Sequence, residues 1–288
     1  MSFDSVHSAG EAAVEVGGAV DLHSHLVPGV DDGATTVEDV LEGIGRMVAA
    51  GVGTVVTTPH LEGSLTLLPD SFERRLREMD DSFALARDAV GELFPDLVFI
   101  RSNEVALDHP EPDLSDPRIQ LGEGGWLLVE WPRLRVPPGS AAVLTRLVEE
   151  GHRMLLAHPE RYRLGEGNGA LRRISEWRES GVPFQVNYGS LVGAYGPEPR
   201  RRALWLLARG WVECLATDFH GRPSLKLFLK EAREALVTQG VDPDVALTSW
   251  ELMTTTNPRR ILEGDSPLPV PPLEVQSGFW ERLTSFFR

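Results

Sequence analysis

Five of the eight histidines in this chain fall where they could do chemistry. His23 and His25 flank Ser24 directly after the apolar run AVDL. In an extended backbone residues i and i+2 point to the same side, so the two imidazoles can grip one cation. Alone, an H-x-H pair is weak, and ordinary surface or hydrogen-bonded histidines are the competing reading. Repetition changes the balance. His60 ends TTPH, His158 opens HPER, and Asp218 and His220 close ATDFH, each behind a short apolar run, while only His7, His109 and His152 lie elsewhere. Imidazole with carboxylate oxygen suits zinc, manganese or iron, and a site of this composition points to catalysis rather than to a structural zinc cage.

Two glutamates join the set, Glu104 in RSNEV and Glu130 in LLVEWP. A lone carboxylate ending a buried run must pair or bind metal, because desolvation is costly. A salt bridge to Arg101 or Arg133 is the simpler alternative. Asp31 and Asp32, in VPGVDDGAT, read on spacing alone as a turn. Cys214 is the only cysteine, which excludes an intramolecular disulfide and a thiolate cluster and fits a reducing cytoplasm. A cysteine-based phosphatase needs C-x5-R, but the residue six past Cys214 is His220, so the thiol reads as core.

The elements that must carry these groups alternate. Candidate strands at 19–22, 54–57, 97–100, 127–129, 154–157, 184–186 and 213–216 are separated by helical patterns at 37–50, 71–90, 140–150, 171–180, 199–208 and 224–239. Several helical patterns stop at a glycine: Gly51, Gly151, Gly181, Gly210 and Gly240. Strand–helix alternation suits an open sheet or a closed barrel, and the polar residues choose between them. In parallel β/α folds the carboxyl ends of the strands share one face. An open sheet spreads them by roughly 4.8 Å per strand, whereas a barrel gathers them around one centre. The expectation is a single α/β barrel domain at 19–263, with an N-terminal extension at 1–18 and, at 264–288, a proline-rich linker and an amphipathic helix. In that last helix Phe279, Trp280, Leu283, Phe286 and Phe287 share one face, which fits packing on the barrel or contact with a membrane surface.

Composition adds bounds. With 42% hydrophobic and 25% charged residues the chain can build a core, and 43 acidic against 28 basic residues give a net charge of -15. That field repels polyanions, so nucleic acid is excluded as the main partner. The acidity is compatible with bound divalent cations and equally with a plain soluble surface.

Taken in order, DLHSHLVPGVDDGA, TTPH, NEV, LLVEWP, LLAHPERY, GSLVGAYG and ATDFHGRP resemble the bacterial tyrosine phosphatases of the polymerase-and-histidinol-phosphatase (PHP) superfamily, of the CpsB/YwqE type that accompanies capsule and exopolysaccharide synthesis. The resemblance runs from about Asp21 to about Arg260. It implies a distorted (β/α)7 barrel with three divalent metal ions, manganese foremost, with iron or zinc as alternatives. Carried over by position, one ion takes His23, His25, Glu104 and Asp218; a second shares Glu104 with Glu130 and His158; the third takes Asp32, His60 and His220. Arg161 in HPER and Arg222 in HGRP match basic residues beside the substrate phosphate, although a single Gly221 separates Arg222 from His220 where the family has a longer loop. The implied substrate is phosphotyrosine on a protein, a bacterial tyrosine kinase of the export machinery being the expected partner, in the cytoplasm or peripherally at the inner membrane. Two alternatives stand beside this: a PHP-type phosphatase for histidinol phosphate or a nucleotide, and a metal-bearing module that docks on a kinase without turnover.

Overall fold

Strands buried on both faces dominate the centre of the protein, and every pairing between them is parallel. The structure, a computed structural model, describes residues 18–165, 167–238 and 242–273. In chain order the strands are β1 (Ala19–Ser24), β2 (Val52–Thr57), β3 (His60–Glu62), β4 (Val98–Arg101), β5 (Glu104–Ala106), β6 (Trp126–Glu130), β7 (Arg153–Ala157), β8 (Phe184–Asn187) and β9 (Cys214–Ala216). The main helices between them are α1 (Val37–Ala49), α2 (Pro69–Leu93), α3 (Ser140–Glu149), α4 (Asn168–Glu179), then the single turn α5 (Tyr188–Leu191) and α6 (Pro197–Leu207). Three more, α7 (Leu229–Thr238), α8 (Pro243–Glu251) and α9 (Asn257–Leu262), follow the last strand.

Among the described residues nine strand segments make seven staves. β2 and β3 are one strand interrupted at Thr58-Pro59, and β4 and β5 are one strand interrupted at Ser102-Asn103. Below the breaks the order is β1-β2-β4, and above them it is β3-β5-β6-β7-β8-β9. The ring closes where β1 meets the end of β9: Asp218 N–H donates to the His23 carbonyl at 2.9 Å and His25 N–H to the Phe219 carbonyl at 2.8 Å. The result is the distorted seven-stave barrel expected above. Pro59 has no N–H to give the ladder, and the backbone around it is held sideways instead, Thr58 N–H donating to the Ser24 carbonyl at 2.6 Å. The two interruptions are invisible as hydrophobic periodicity, because β3 and β5 are only three residues each.

Alternation along the strands sorts side chains into two layers. In β7, Leu155 and Ala157 join the barrel interior with Leu22, Val56, Leu128 and Cys214, while Met154 and Leu156 pack outward against the helices. The helices bring complementary stripes: Ile44 and Met47 from α1, Leu144 and Leu147 from α3, Ile174 and Trp177 from α4, all fully buried. Helix boundaries follow local chemistry. At the start of α1, Thr36 accepts from Asp39 N–H at 3.2 Å and the Asp39 carboxylate accepts from Thr36 N–H at 3.0 Å, a reciprocal cap.

Two regions depart from expectation. Residues 243–262, unassigned from the sequence, form α8 and α9 joined by a π-helical turn at Leu252–Thr256, with Met253 and Ile261 buried beneath the barrel. The π turn shifts the helical phase, so the apolar residues keep no single 3.6-residue register. Residues 264–273, read as a linker, lie packed on the barrel: Leu268 N–H donates to Asn257 Oδ1 at 2.7 Å, Leu273 N–H to the Leu207 carbonyl at 2.9 Å, and Val270 and Leu273 are buried. Their prolines fix an extended path that suits lying in a groove. The N-terminal extension up to residue 17 and the tail from residue 274, including its expected amphipathic helix, fall outside the described residues.

Candidate metal centre

The carboxyl ends of the staves deliver their polar residues to one cleft. It has a volume of about 800 Å³, and Asp32, His60, Glu104, Glu130, His158, Arg161, Asp218 and His220 line it. Behind them His23 and His25 are fully buried. His23 and His25, two residues apart at the end of β1, bring both imidazoles to the same spot, with Nε2 atoms 3.3 Å apart. His60 follows the Pro59 break and Glu104 follows the Asn103 break, so the two interruptions are what turn these side chains toward the axis.

Glu104 is the hub. Its Oε1 lies 2.9 Å from His158 Nε2, and its Oε2 lies 3.1 Å from His23 Nε2, 3.1 Å from His60 Nδ1 and 3.4 Å from His25 Nε2. Asp218 Oδ1 sits 3.3 Å from His25 Nε2 and 3.4 Å from His23 Nε2. Glu130 Oε1 is 3.4 Å from His60 Nδ1. At the mouth Asp32 Oδ1, on an exposed side chain, is 3.5 Å from His60 Nε2 and 3.3 Å from His220 Nε2. Four overlapping donor groups result: His23, His25 and Asp218; His23, Glu104 and His158; His60, Glu104 and Glu130; His25, Asp32, His60 and His220. Among the described residues these are the groups of three or more that could hold a cation, and they contain all nine expected ligands and nothing else. The partition differs from the expected one in placing His60 rather than His158 beside Glu130.

The donor set fits a divalent cation. Glu104 Oε2, His60 Nδ1 and His158 Nδ1 are buried without a properly aligned hydrogen bond, although the first two lie 3.1 Å apart. Burial works against a charged imidazole, yet Glu104 and Asp218 raise the pKa of His23, and Glu104 and Glu130 push His60 up to about 10. Burial likewise pushes the Glu104 carboxyl up, but His23 and His158 pull it well below the ordinary carboxylate range. The cluster therefore demands positive charge, which a cation supplies while leaving the imidazoles neutral.

Further residues aim the donors. His25 Nδ1–H donates to Asp31 Oδ2 at 2.8 Å and His23 Nδ1–H to Gln185 Oε1 at 2.9 Å, leaving both Nε2 lone pairs facing the cluster. Asp31 also accepts from the N–H of Gly33 at 2.9 Å and of His60 at 3.1 Å. The β1–α1 loop can fold this tightly only because residue 33 is glycine: a Cβ there would lie 2.2 Å from the His25 carbonyl oxygen. Asn187 Nδ2–H donates to Asp218 Oδ2 at 3.0 Å and is itself held by Gln185. Glu160, fully buried, accepts from Asn187 N–H at 3.1 Å and from the Ser190 hydroxyl at 2.6 Å. None of Gln185, Asn187 and Glu160 was singled out from the sequence. Polar residues at alternate positions of the apolar strand FQVN were the available signal. Replacing Asp31 by alanine is expected to weaken divalent-cation affinity by about 10- to 100-fold, as losses of such supporting contacts do. Competition against a chromogenic chelator measures it, and unchanged affinity would refute the supporting role.

Residues 19–263 match the family described as "Capsular polysaccharide synthesis, CpsB/CapC". This chain belongs to the CpsB/CapC family. Among its relatives, the tyrosine-protein phosphatase YwqE of Bacillus subtilis (strain 168) is 24% identical over 268 residues, covering 93% of this chain and 100% of YwqE. The tyrosine-protein phosphatase CpsB of Streptococcus pneumoniae is 24% identical over 250 residues, covering 84% of this chain and 98% of CpsB. Solved structures of YwqE and CpsB, described as unique metal-dependent tyrosine phosphatases, include one that superposes with a TM-score of 0.71 at 23% identity, covering 89% of this chain and 99% of the other. An amidohydrolase from Mycoplasma synoviae shares the fold more distantly, with a TM-score of 0.50 at 13% identity and coverage of 94% and 95%.

In this CpsB/CapC chain the two arginines expected beside the phosphate are placed differently. Arg161 enters the cleft, pairs with the Asp218 carboxylate, and lies over the Tyr195 ring at 4.2 Å. Arg222 is exposed and donates to the Asp32 carbonyl, and it is not among the residues lining the cleft. The short connection explains this. Gly221, at φ +62, packs so closely on Ala34 that a Cβ would lie 2.8 Å from the Ala34 Cβ, which pins Arg222 beside the Asp32 loop.

Proposed function

We propose that this protein is a metal-dependent protein-tyrosine phosphatase serving exopolysaccharide or capsule synthesis. One observation carries the reading: nine imidazole and carboxylate donors converge on one cleft, with Arg161 beside them. Shared donors make room for three divalent cations, with manganese first and iron or zinc compatible. His23, His25 and Asp218 would hold one, Glu104 and Glu130 with His60 or His158 another, and Asp32, His60 and His220 a third. When bound, such ions lower the pKa of water to about 7 and neutralise charge on a phosphoryl group.

The chain's own residues do the positioning. Gln185 and Asp31 keep the Nε2 lone pairs of His23 and His25 directed at the cluster, and Asn187 holds Asp218 in register. Arg161 spends one edge on Asp218 and presents the rest of its planar guanidinium to phosphoryl oxygens, where bidentate contact aligns phosphorus. Leu107, Pro132, Leu134, Val136 and Pro137 give the cleft an apolar wall suited to a phenyl ring. That wall favours an aryl phosphate over histidinol phosphate.

The expected substrate is a phosphotyrosine protein, a tyrosine kinase of the same pathway being the natural candidate. Among the described residues no helix is long and apolar enough to cross a membrane, and the proposed setting is cytoplasmic, with any peripheral membrane contact assigned to the tail beyond residue 273. The catalytic unit is proposed to be residues 19–263. The test is steady-state turnover of a phosphotyrosine peptide and of histidinol phosphate side by side by the metal-loaded protein. The peptide is expected to lead in kcat/KM by about tenfold or more, the size of discrimination an apolar wall supplies. The reverse order would establish the small-molecule reading, and no turnover of either would leave a docking module.

A further inference from the structure

The loop after β6 lines the same cleft, yet the phosphoryl chemistry above leaves its two arginines unused. In Pro132-Arg133-Leu134-Arg135-Val136 the apolar residues are half-buried and the arginines exposed, an alternation that turns one side of the loop to the barrel and the other outward. Arg133 and Leu134 both have φ of +56°, a left-handed conformation that non-glycine residues adopt only at a cost. Four of the five non-glycine residues with positive φ among those described line this cleft: Arg133, Leu134, His158 and Asp218. The loop is tied down as well. Arg135 N–H donates to the Pro132 carbonyl at 3.1 Å, and Arg163 N–H, two residues past Arg161, donates to the Leu134 carbonyl at 2.9 Å.

Charge makes the arrangement informative. Six carboxylates line the cleft, Asp32, Glu62, Glu104, Asp108, Glu130 and Asp218, but among the described residues neither Arg133 nor Arg135 takes one as a partner. The tethered backbone fixes where both arginines leave the loop, and both side chains are exposed at the cleft without a carboxylate partner among the described residues. An acidic peptide approaching a protein of net charge -15 also needs a local positive field to enter.

We propose that Arg133 and Arg135 determine substrate specificity by binding a second anionic group of the peptide, close in sequence to the phosphotyrosine, either a carboxylate side chain or another phosphate. This rests on the phosphatase reading above. While Arg161 and the donor cluster take the scissile phosphoryl group, the pair at the rim takes its neighbour, so the gain falls on binding more than on the chemical step.

Three peptides test it with metal-loaded protein: one phosphotyrosine with neutral flanks, one with glutamates on both sides, and one with a second phosphotyrosine nearby. The wild type is expected to favour the anionic peptides over the neutral one by about fivefold in kcat/KM, mainly through KM and less at high salt, as for exposed ion pairs. In the double variant Arg133→Ala, Arg135→Ala the ratio between peptides should fall to near one, and Arg133→Lys, Arg135→Lys should restore most of it. Reading a ratio within one preparation removes any change in active fraction. Fluorescence anisotropy with difluoromethylphosphonate versions of the peptides should show the same ratio in Kd. A larger preference for the doubly phosphorylated peptide than for the glutamate peptide would identify phosphate as the source, and equal preferences would identify charge alone. A wild type without preference, or a double variant that keeps it, overturns the proposal. Failure to turn over even the neutral peptide, which needs neither arginine, would overturn the phosphatase reading along with it.

Discussion

Chelation is expected to reduce phosphotyrosine hydrolysis to background, and added manganese or another first-row divalent ion to restore it. The expected loss exceeds about a thousandfold, because Lewis-acid stabilisation of a phosphoryl transition state is worth several kcal/mol. Among the described residues no cysteine lines the cleft. The only cysteine is buried in the barrel interior, where burial pushes its thiol well above the usual range, so no thiolate nucleophile is on hand. The sign of the pH dependence follows from the imidazoles. With no cation bound, carboxylate neighbours raise the pKa of His23, His25 and His60, and each must give up its proton to ligate. Cation binding therefore competes with protons, and apparent affinity should strengthen as pH rises and weaken as it falls. Binding should also stabilise the fold, by about 2.7 kcal/mol when free metal is a hundred times its Kd. A thermal unfolding scan with and without manganese reads that directly. Full activity in protein shown by elemental analysis to be metal-free would end the metal hypothesis.

How far the sequence discloses this site depends on how local the signal is. His23, His60, His158 and Asp218 each follow a short apolar run, and that shared station survives folding because the staves are parallel and their carboxyl ends coincide. The choice between Asp31 and Asp32 is not local. Both occupy one turn, and only the closed loop shows Asp31 buried against His25 Nδ1 while Asp32 stays exposed near His60 and His220. The resemblance to tyrosine phosphatases supplied that assignment where spacing could not. The breaks at Pro59 and Asn103 were equally opaque: each looks like the end of a strand, and in the barrel each is a bend that lets the stave continue and carry His60 or Glu104 inward. Arg161 and Arg222 look alike as motif members, but the loops that carry them separate their fates. The supporting layer of Gln185, Asn187 and Glu160 was hardest to see, since its meaning lies in partners 27 to 162 residues away.

Arg161→Ala is expected to lower kcat/KM on a phosphotyrosine peptide by about a hundredfold, the equivalent of roughly 3 kcal/mol of transition-state stabilisation. The guanidinium is well placed to have that effect. It is largely buried, braced over the Tyr195 ring, and paired with Asp218, so little conformational freedom remains to be lost when phosphoryl oxygens arrive. The pairing with Asp218 raises a rival account, in which alanine acts by loosening a metal ligand. Asp218 keeps its hydrogen bond from Asn187 in the variant, so cation content measured by elemental analysis should stay close to wild type. Arg161→Lys separates the accounts further. Lysine preserves the positive charge beside Asp218 but lacks the planar two-pronged geometry, so it should protect metal content fully while recovering only part of the rate. If the contact tightens as phosphorus is attacked, the loss falls on kcat; if it holds substrate and transition state equally, it falls on KM. Near-wild-type kcat/KM in the alanine variant would remove Arg161 from the mechanism and leave the cation cluster to hold the phosphate unaided.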